Sequence, residues 1–227
     1  LHIPENLDAA AVTPLLCAGI TTYSPLKHYN VGPGLRVAIL GLGGLGHVGV
    51  QIAKAFGARV IGTASTKNHD YVRELGAEPV EYGDGLVERV KELAPNGVDI
   101  VVDFVGGVVE DSVAVLADGG QHASIADPEV EEHGGSYMWV SPDAEQLTEL
   151  ARLADDGKLT AELARHVLER DIDVVVALLS LSGGGEDWLL QLRCLREPLG
   201  QLHAANTAGG VVFLLAGAGE VAAGHTF

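Results

Sequence analysis

Four closely spaced glycines are the residues of this sequence with the clearest chemical meaning. Gly41, Gly43, Gly44 and Gly46 fall in the pattern GxGxxG. In such a turn the first glycine permits the tight bend, Gly43 lets the backbone approach a pyrophosphate, and Gly46 lets the following helix pack closely on the strand. The amides of Gly44 and Leu45 at the start of that helix would donate to phosphate oxygens, aided by the helix dipole. The alternative, a turn without a ligand, is disfavoured because a strand precedes the loop and a helix follows it.

The residues that follow the next strand indicate which dinucleotide the loop would hold. Sites for NAD carry a carboxylate about twenty residues after the glycines, where it binds the ribose 2′-hydroxyl. This sequence has Ser65, Thr66 and Lys67 there instead. Hydroxyls and a cation accommodate a 2′-phosphate, so NADP(H) is favoured over NAD(H). The alternative is that Ser65 or Thr66 only caps the next helix, and both roles are compatible.

Strands and helices alternate on either side of this loop, as its position requires. Short β-branched runs predict strands, listed in chain order: 35–40, 58–64, 78–81, 98–104, 121–126 and 137–140. Amphipathic stretches predict the helices between and after them: 45–56, 67–75, 86–93, 110–116, 142–156 and 161–170. This alternation predicts an α/β fold, a Rossmann-type doubly wound parallel sheet whose ligands bind at the carboxyl ends of the strands.

The pattern divides the chain into three parts. Residues 1–34 form a lead-in of two short helices punctuated by Pro14 and Pro25, and residues 35–171 form the NADP-binding domain. Residues 172–227 are an apolar, glycine-rich tail without an assigned role. Within it, a strand-like run at 211–215 precedes a GxGxxA pattern, which we interpret as buried filler or a sequence join and not as a second nucleotide site.

Composition excludes several classes of partner. The formal charge is -17, from 31 acidic and 14 basic side chains, which disfavours nucleic acid and anionic membranes. The two cysteines, Cys17 and Cys194, have no metal-binding or disulfide spacing, which fits a reducing cytoplasm. We expect neither a signal peptide nor a membrane span. Small molecules are the expected ligands, and apolar edge surface predicts a homo-oligomer.

Several stretches resemble the medium-chain dehydrogenase/reductase superfamily. The runs 16–21 (LCAGIT) and 23–26 (YSPL), and the glycine loop followed by His47, resemble zinc-dependent cinnamyl-type alcohol dehydrogenases. The runs 75–78 (LGAE), 101–107 (VVDFVGG) and 140–143 (VSPD) are more similar to its zinc-free, NADP-dependent quinone reductases. The likeness extends from about Ile3 to about Asp171, and the superfamily's GroES-like catalytic domain is not expected in this chain.

The resemblance implies roles for individual residues. Thr21 would contact the nicotinamide side of the cofactor, while Ser65, Thr66 and Lys67 would meet the 2′-phosphate. Tyr82 would flank the adenosine phosphate. The nicotinamide ribose would be lined by Val105 and Gly106.

The resemblance also raises the question of zinc. Cys17 corresponds to a catalytic zinc ligand of the alcohol dehydrogenases, which use the metal as a Lewis acid. Its partner ligands are absent from this sequence, so zinc is possible but not expected, and a lone cysteine in an apolar helix is more often a core residue. We expect His28 and His47 not to bind metal. Asp103 is expected only to flank a strand, and no catalytic acid or nucleophile is evident.

Three functions remain open at this stage. The first is an NADP(H)-dependent oxidoreductase acting on an alcohol/aldehyde pair, motivated by the glycine loop and Cys17. The second is a zinc-free reductase of quinones or activated alkenes. The third is a nucleotide-binding module without chemistry of its own.

Overall fold

A computed structural model describes residues 7, 12–160, 175–180, 202–206 and 211–216, the last three ranges as strands. Contacts divide the chain into two compact units, Leu1–Ala161 and Glu162–Phe227. The expected boundary after residue 171 lies outside the described residues and stays a prediction.

The first unit alternates strands and helices. Its strands are β1 (Arg36–Leu40), β2 (Arg59–Thr63), β3 (Glu78–Val80), β4 (Val98–Asp103), β5 (Leu116–Ser124) and β6 (Ser136–Tyr137). Its helices are α1 (Ala18–His28), α2 (Gly46–Ala55), α3 (His69–Glu74), α4 (Leu86–Leu93), α5 (Val109–Ala114) and α6 (Ala144–Asp155). Short 3-10 turns lie at Thr13–Leu16, Thr66–Asn68 and Pro128–His133.

The six strands form one sheet in the order β3-β2-β1-β4-β5-β6, and every pair is parallel. The predicted α/β Rossmann fold is therefore confirmed. The order reverses between β1 and β4, and open sheets of this kind bind ligands in the crevice at such a switch point. The residues that follow β1 and β4 accordingly form the centre of the site described below.

Alternation along β1 explains why helices cover both faces of the sheet. Val37 and Ile39 pack into one buried apolar cluster, whereas Ala38 and Leu40 pack into a second cluster on the opposite face. Successive side chains of a strand point to opposite faces, so a strand that is apolar throughout needs cover on both sides. The glycine loop leaves the end of β1 between these two layers.

Side-chain hydrogen bonds fasten the helical ends of the unit to its centre. The Tyr29 hydroxyl donates to the carbonyl of His122 at 2.7 Å. The Gln51 side chain donates to the Thr160 carbonyl at 3.3 Å and accepts from the Thr160 amide at 2.9 Å. Helix α1 runs through Pro25, contrary to the expected break.

Several boundaries differ from the sequence-based expectations around β5. The strand begins at Leu116, five positions before the expected start, and the preceding helix ends at Ala114. Leu116 pairs with Val98, and the register shifts between Val98 and Ile100. Gly119, with φ of 74°, lies at this irregularity, between Leu116 and the paired residues 121–124 that belong to the predicted strand.

The second unit contains an antiparallel sheet in the order β7-β9-β8, formed by Val175–Ser180, Val211–Ala216 and Leu202–Asn206 respectively. The strand expected at 211–215 is confirmed. The expected helix at 161–170 and the GxGxxA pattern lie outside the described residues. No helix within the described ranges has the length and apolarity to cross a membrane.

Candidate nucleotide-binding site

The glycine loop is tied to the end of the neighbouring strand β2. The Gly41 amide donates to the Thr63 hydroxyl at 2.8 Å, and the Leu42 amide donates to the Thr63 carbonyl at 3.1 Å. Gly41 has φ of 87°, a left-handed conformation that favours glycine. The loop is thus fixed before any ligand binds.

Two glycines of the loop differ in the space around them. A Cβ on Gly46 would lie 2.3 Å from the Gly41 carbonyl oxygen, so the start of α2 packs directly on the turn. A Cβ on Gly43 would meet nothing within 4 Å. Gly46 is therefore required by the fold, whereas the fold leaves the space in front of Gly43 open, as a closely approaching pyrophosphate would need.

The amides of Gly44 and Leu45 lie directly before helix α2. Within the described part of the chain no hydrogen bond uses the amides of Gly44 and Leu45. Helix α2 is ten residues long, and its positive N-terminal end adds to the attraction for an anion. This combination fits the pyrophosphate group of a dinucleotide.

The residues predicted to meet the 2′-phosphate lie together after β2. Ser65 is half-buried, and Thr66 and Lys67 are exposed. Ser65 takes the N-cap position of the turn that follows but makes no side-chain cap bond. The capping explanation is therefore not realised for Ser65. Thr66 instead donates its hydroxyl to Glu81 Oε1 at 2.7 Å.

Glu81 is a site residue that the sequence interpretation missed. It follows β3, which pairs with β2, so the end of β3 places a carboxylate beside the Ser65–Lys67 corner. The expectation of an acid-free corner considered only the residues after β2. The available signal was the acidic residue at the end of the third predicted strand, combined with the strand order 3-2-1.

Arg89 organises the loop that carries Tyr82, and it too was missed. Its guanidinium donates to the carbonyls of Glu81 at 2.8 Å, Gly83 at 3.2 Å and Asp84 at 2.9 Å. Tyr82 is 61% exposed beside these contacts. The predicted adenosine contact of Tyr82 would therefore come from a loop held by an arginine in α4.

At the end of β4 the structure brings the predicted nicotinamide side against the glycine loop. A Cβ on Gly41 would lie 3.0 Å from the Cβ of Val105, which is 59% exposed. We expected Asp103 only to flank a strand, but it also makes hydrogen bonds to the loop that follows. Its carboxylate is buried and accepts hydrogen bonds from the amides of Val105 and Gly106. Thr21 lies buried in α1, and its contact with a nicotinamide remains a prediction.

His47 is buried directly after the glycine loop. Its Nδ1 lies 3.2 Å from the Gly43 carbonyl, and its Nε2 has no hydrogen-bond partner in the described part of the chain. Burial lowers the pKa of His47, while hydrogen bonds to the Gly43 and Gly44 backbone oppose that shift. The neutral ring is therefore favoured, and its contact with the loop backbone suits a supporting role.

The expectation that Cys17 is a core residue is wrong. The thiol is exposed, and Cys17 lies directly before helix α1, at its N-cap position. Among the residues that the structure describes, no three His, Cys, Asp or Glu side chains come together as metal ligands. The described residues thus do not form a zinc site around Cys17.

Comparisons with known proteins agree with this geometry. Residues 44–145 match the family model described as "Zinc-binding dehydrogenase". The chain is 58% identical over 107 residues to NADP-dependent alcohol dehydrogenase C 1 of Mycolicibacterium smegmatis, a match covering 46% of this chain and 30% of that protein. The chain spans about a third or less of the length of the curated relatives it matches.

Solved structures give the same picture. An alcohol dehydrogenase from Aeropyrum pernix superposes with a TM-score of 0.61 and 28% identity, covering 75% of this chain and 57% of that one. A quinone oxidoreductase from Coxiella burnetii superposes with a TM-score of 0.59 and 29% identity, covering 74% and 60% respectively. Both branches noted in the sequence are represented among these structures.

Proposed function

We propose that this chain, which belongs to the medium-chain dehydrogenase/reductase superfamily, is the cofactor-binding part of an NADP(H)-dependent oxidoreductase that interconverts alcohols and aldehydes. The observation that carries the proposal is the open space at Gly43, framed by a loop that Thr63 anchors and by the amides of Gly44 and Leu45. A dinucleotide pyrophosphate has the charge and size for this position.

The residues of the chain bind and orient the cofactor in this proposal. The glycine loop and the start of α2 hold the pyrophosphate, and Val105 and Gly106 support the nicotinamide ribose at the adjacent edge of the sheet. Thr21 approaches the nicotinamide from α1. The bound cofactor supplies the hydride, and the protein fixes the distance and direction of its transfer.

NADP(H) is the proposed cofactor, in preference to NAD(H). Ser65, Thr66 and Lys67 supply hydroxyls and a cation for the 2′-phosphate, and Tyr82 flanks the adenosine. Glu81 opposes this preference in part, because its carboxylate accepts from Thr66 and repels a phosphate. We therefore expect a preference for NADPH that is moderate and depends on salt.

Alcohol/aldehyde chemistry is favoured over quinone or alkene reduction by the relatives. The curated relatives that support it are an NADP-dependent alcohol dehydrogenase, 58% identical over 107 residues, and a probable formaldehyde dehydrogenase of Bacillus subtilis, 55% identical over 78 residues. The solved structures of the two branches are equally similar to this chain, at 28% and 29% identity. Zinc is not part of the proposal for this chain, since Cys17 lacks partner ligands in the described residues. A module without catalysis remains the outcome if no substrate is turned over.

Small molecules are the proposed substrates, and the cytoplasm is the proposed location. We also propose a homo-oligomer, because several large apolar side chains are exposed: Leu16, Val105, Val113 and Trp139. Light scattering tests this point, and a monomeric mass would contradict it.

Aldehyde reduction by the purified chain tests the proposed function. Consumption of NADPH is followed with aliphatic and aromatic aldehydes, with a quinone in parallel, each with and without a chelator. A Gly43→Ala variant serves as the control for reduction outside the site. Aldehyde turnover that this variant lacks supports the proposal, whereas NADPH binding without turnover of any aldehyde contradicts the catalytic part of it for this chain.

A further inference from the structure

We propose that Asp103 is the positioning residue for the nicotinamide half of the cofactor, acting through the backbone of the loop 104–107. This inference rests on the proposed function and extends it to a residue that touches neither substrate nor cofactor.

Asp103 is a charged side chain in an unusual place. It is the last residue of β4, is 2% exposed, and takes part in none of the ion pairs of the described residues. A buried carboxylate without a cation requires hydrogen bonds to offset its lost hydration. An apolar residue would fill this strand position without that requirement, so the hydrogen bonds indicate what the carboxylate does.

The carboxylate accepts from the loop that follows it and from the next strand. The Val105 amide lies 2.8 Å and the Gly106 amide 3.0 Å from Oδ1, and the Ser124 hydroxyl lies 2.7 Å from Oδ2. Ser124 in turn accepts from the amides of Ala126 and Asp127. One carboxylate therefore ties together the loops after β4 and β5.

Asp127 holds the same loop from its other end. Its Oδ2 accepts from the Gly107 amide at 3.0 Å, and its Oδ1 accepts from the Glu129 amide at 3.0 Å. Gly106 and Gly107 have φ of 79° and 68°. Two consecutive glycines give the chain many alternative conformations, so these hydrogen bonds select one of them.

The selected conformation places Val105 at the switch point of the sheet. Its side chain packs close to Gly41, as described above, and is 59% exposed. Because the amides of residues 105–107 are all bound by Asp103 or Asp127, the loop cannot shift without breaking charge-assisted hydrogen bonds. A rigid wall at this edge fixes the nicotinamide ribose relative to the pyrophosphate.

The test separates the two halves of the cofactor. Binding of NADPH and of 2′,5′-ADP, which lacks the nicotinamide, is measured for the parent chain, Asp103→Asn and Asp127→Asn. The fluorescence emission of bound NADPH and the thermal unfolding midpoint are recorded on the same samples. Asp127→Asn leaves a single carbonyl oxygen for the Gly107 and Glu129 amides and removes the charge, and both hydrogen bonds are exposed to solvent, so it is the milder variant.

We expect Asp103→Asn to bind 2′,5′-ADP as the parent does but NADPH about tenfold more weakly. The neutral amide keeps one oxygen for the Val105 and Gly106 amides, but it loses the charge that strengthens those bonds and the acceptor for the Ser124 hydroxyl. The emission of bound NADPH should shift toward that of free NADPH, which a purely structural role would not cause. If Asp103→Asn does not fold, the same split in Asp127→Asn supports the inference, and unchanged NADPH affinity in that variant overturns it.

Equal losses for both ligands, or no loss for either, overturn the inference while leaving the proposed function intact. A parent chain that binds neither ligand overturns the proposed function and, with it, this inference. If the parent chain binds both ligands and Asp103→Asn binds them with the same affinities, only the proposed role of Asp103 is wrong.

Discussion

The Gly41 amide donates a hydrogen bond to the Thr63 hydroxyl across 2.8 Å. This contact joins the first residue of the glycine loop to the last residue of β2. Its Thr63 side is buried, with Thr63 3% exposed, while Gly41 is half-buried. The geometry of the turn thus depends on a side chain 22 positions later in the chain. A loop that meets a charged pyrophosphate is held by the neighbouring strand and not by its own residues alone.

Replacing Thr63 by valine tests this anchor. The change keeps the shape of the side chain but leaves the half-buried Gly41 amide without its acceptor, which should lower the free energy of unfolding by about 1 kcal/mol. NADPH affinity should fall as well, because the loop loses its fixed form. Urea unfolding and an NADPH titration measure the two effects. Thr63→Ser, which keeps the hydroxyl, is the control, and equal behaviour of both variants would refute the anchoring role.

Alanine substitutions of Gly43 and Gly46 should affect different properties, NADPH affinity in the first case and stability in the second. Gly43→Ala adds a methyl group to open space, so the free energy of unfolding should change by less than about 0.5 kcal/mol while NADPH binding weakens. Gly46→Ala places a methyl group against the Gly41 carbonyl and should cost about 1–3 kcal/mol of stability. Thermal unfolding and nucleotide titration distinguish them. A Gly43→Ala variant with full NADPH affinity would place the pyrophosphate elsewhere.

The strand order explains which parts of this site could be predicted. The glycine loop and the residues after β2 are contiguous in sequence, so their pattern was sufficient. Glu81 and Arg89 meet the same corner only because β3 lies beside β2 and α4 follows it, and hydrogen bonds to backbone carbonyls leave no pattern in sequence. Asp103 resembled an ordinary strand end, since its partners are amides, which every residue has.

Charge at the 2′-phosphate corner should set the preference between NADPH and NADH. Glu81→Gln removes a carboxylate that holds Thr66, so NADPH affinity should rise about three- to fivefold with little change for NADH. Lys67→Ala should lower NADPH affinity by a comparable factor. Titrations of both nucleotides at low and high salt measure this, and both effects should shrink as salt screens the charges.

Glu92→Gln, the same charge change at an exposed position of α4, is the control for general electrostatics. If Glu92→Gln and Glu81→Gln raise NADPH affinity equally, the rise is caused by the change in net charge and not by the position of Glu81. If Glu81→Gln favours NADH instead, then Glu81 is not opposed to the phosphate.

Burial of His47 predicts a stability loss in mild acid. Its pKa in the folded chain is lowered from about 6.5, so the unfolded chain binds the additional proton first. Above about pH 6.5 His47 is neutral in both the folded and the unfolded chain and does not affect the pH dependence of stability. As the pH falls below that value, protonation of His47 in the unfolded chain lowers the free energy of unfolding. The free energy of unfolding of the parent and of His47→Gln should diverge below this pH, with the parent falling faster. Parallel curves would show that His47 does not titrate in this way.

The central claim is that the loop Gly41–Gly46 binds the pyrophosphate of NADP(H), and one titration tests it most directly. The purified chain is titrated with NADPH and with NADH while nucleotide fluorescence is followed, and 2′,5′-ADP is added as a competitor. We predict saturable binding that is tighter for NADPH, is displaced by 2′,5′-ADP, and is weakened in Gly43→Ala. Failure to bind either nucleotide, or binding that Gly43→Ala leaves unchanged, would contradict the account.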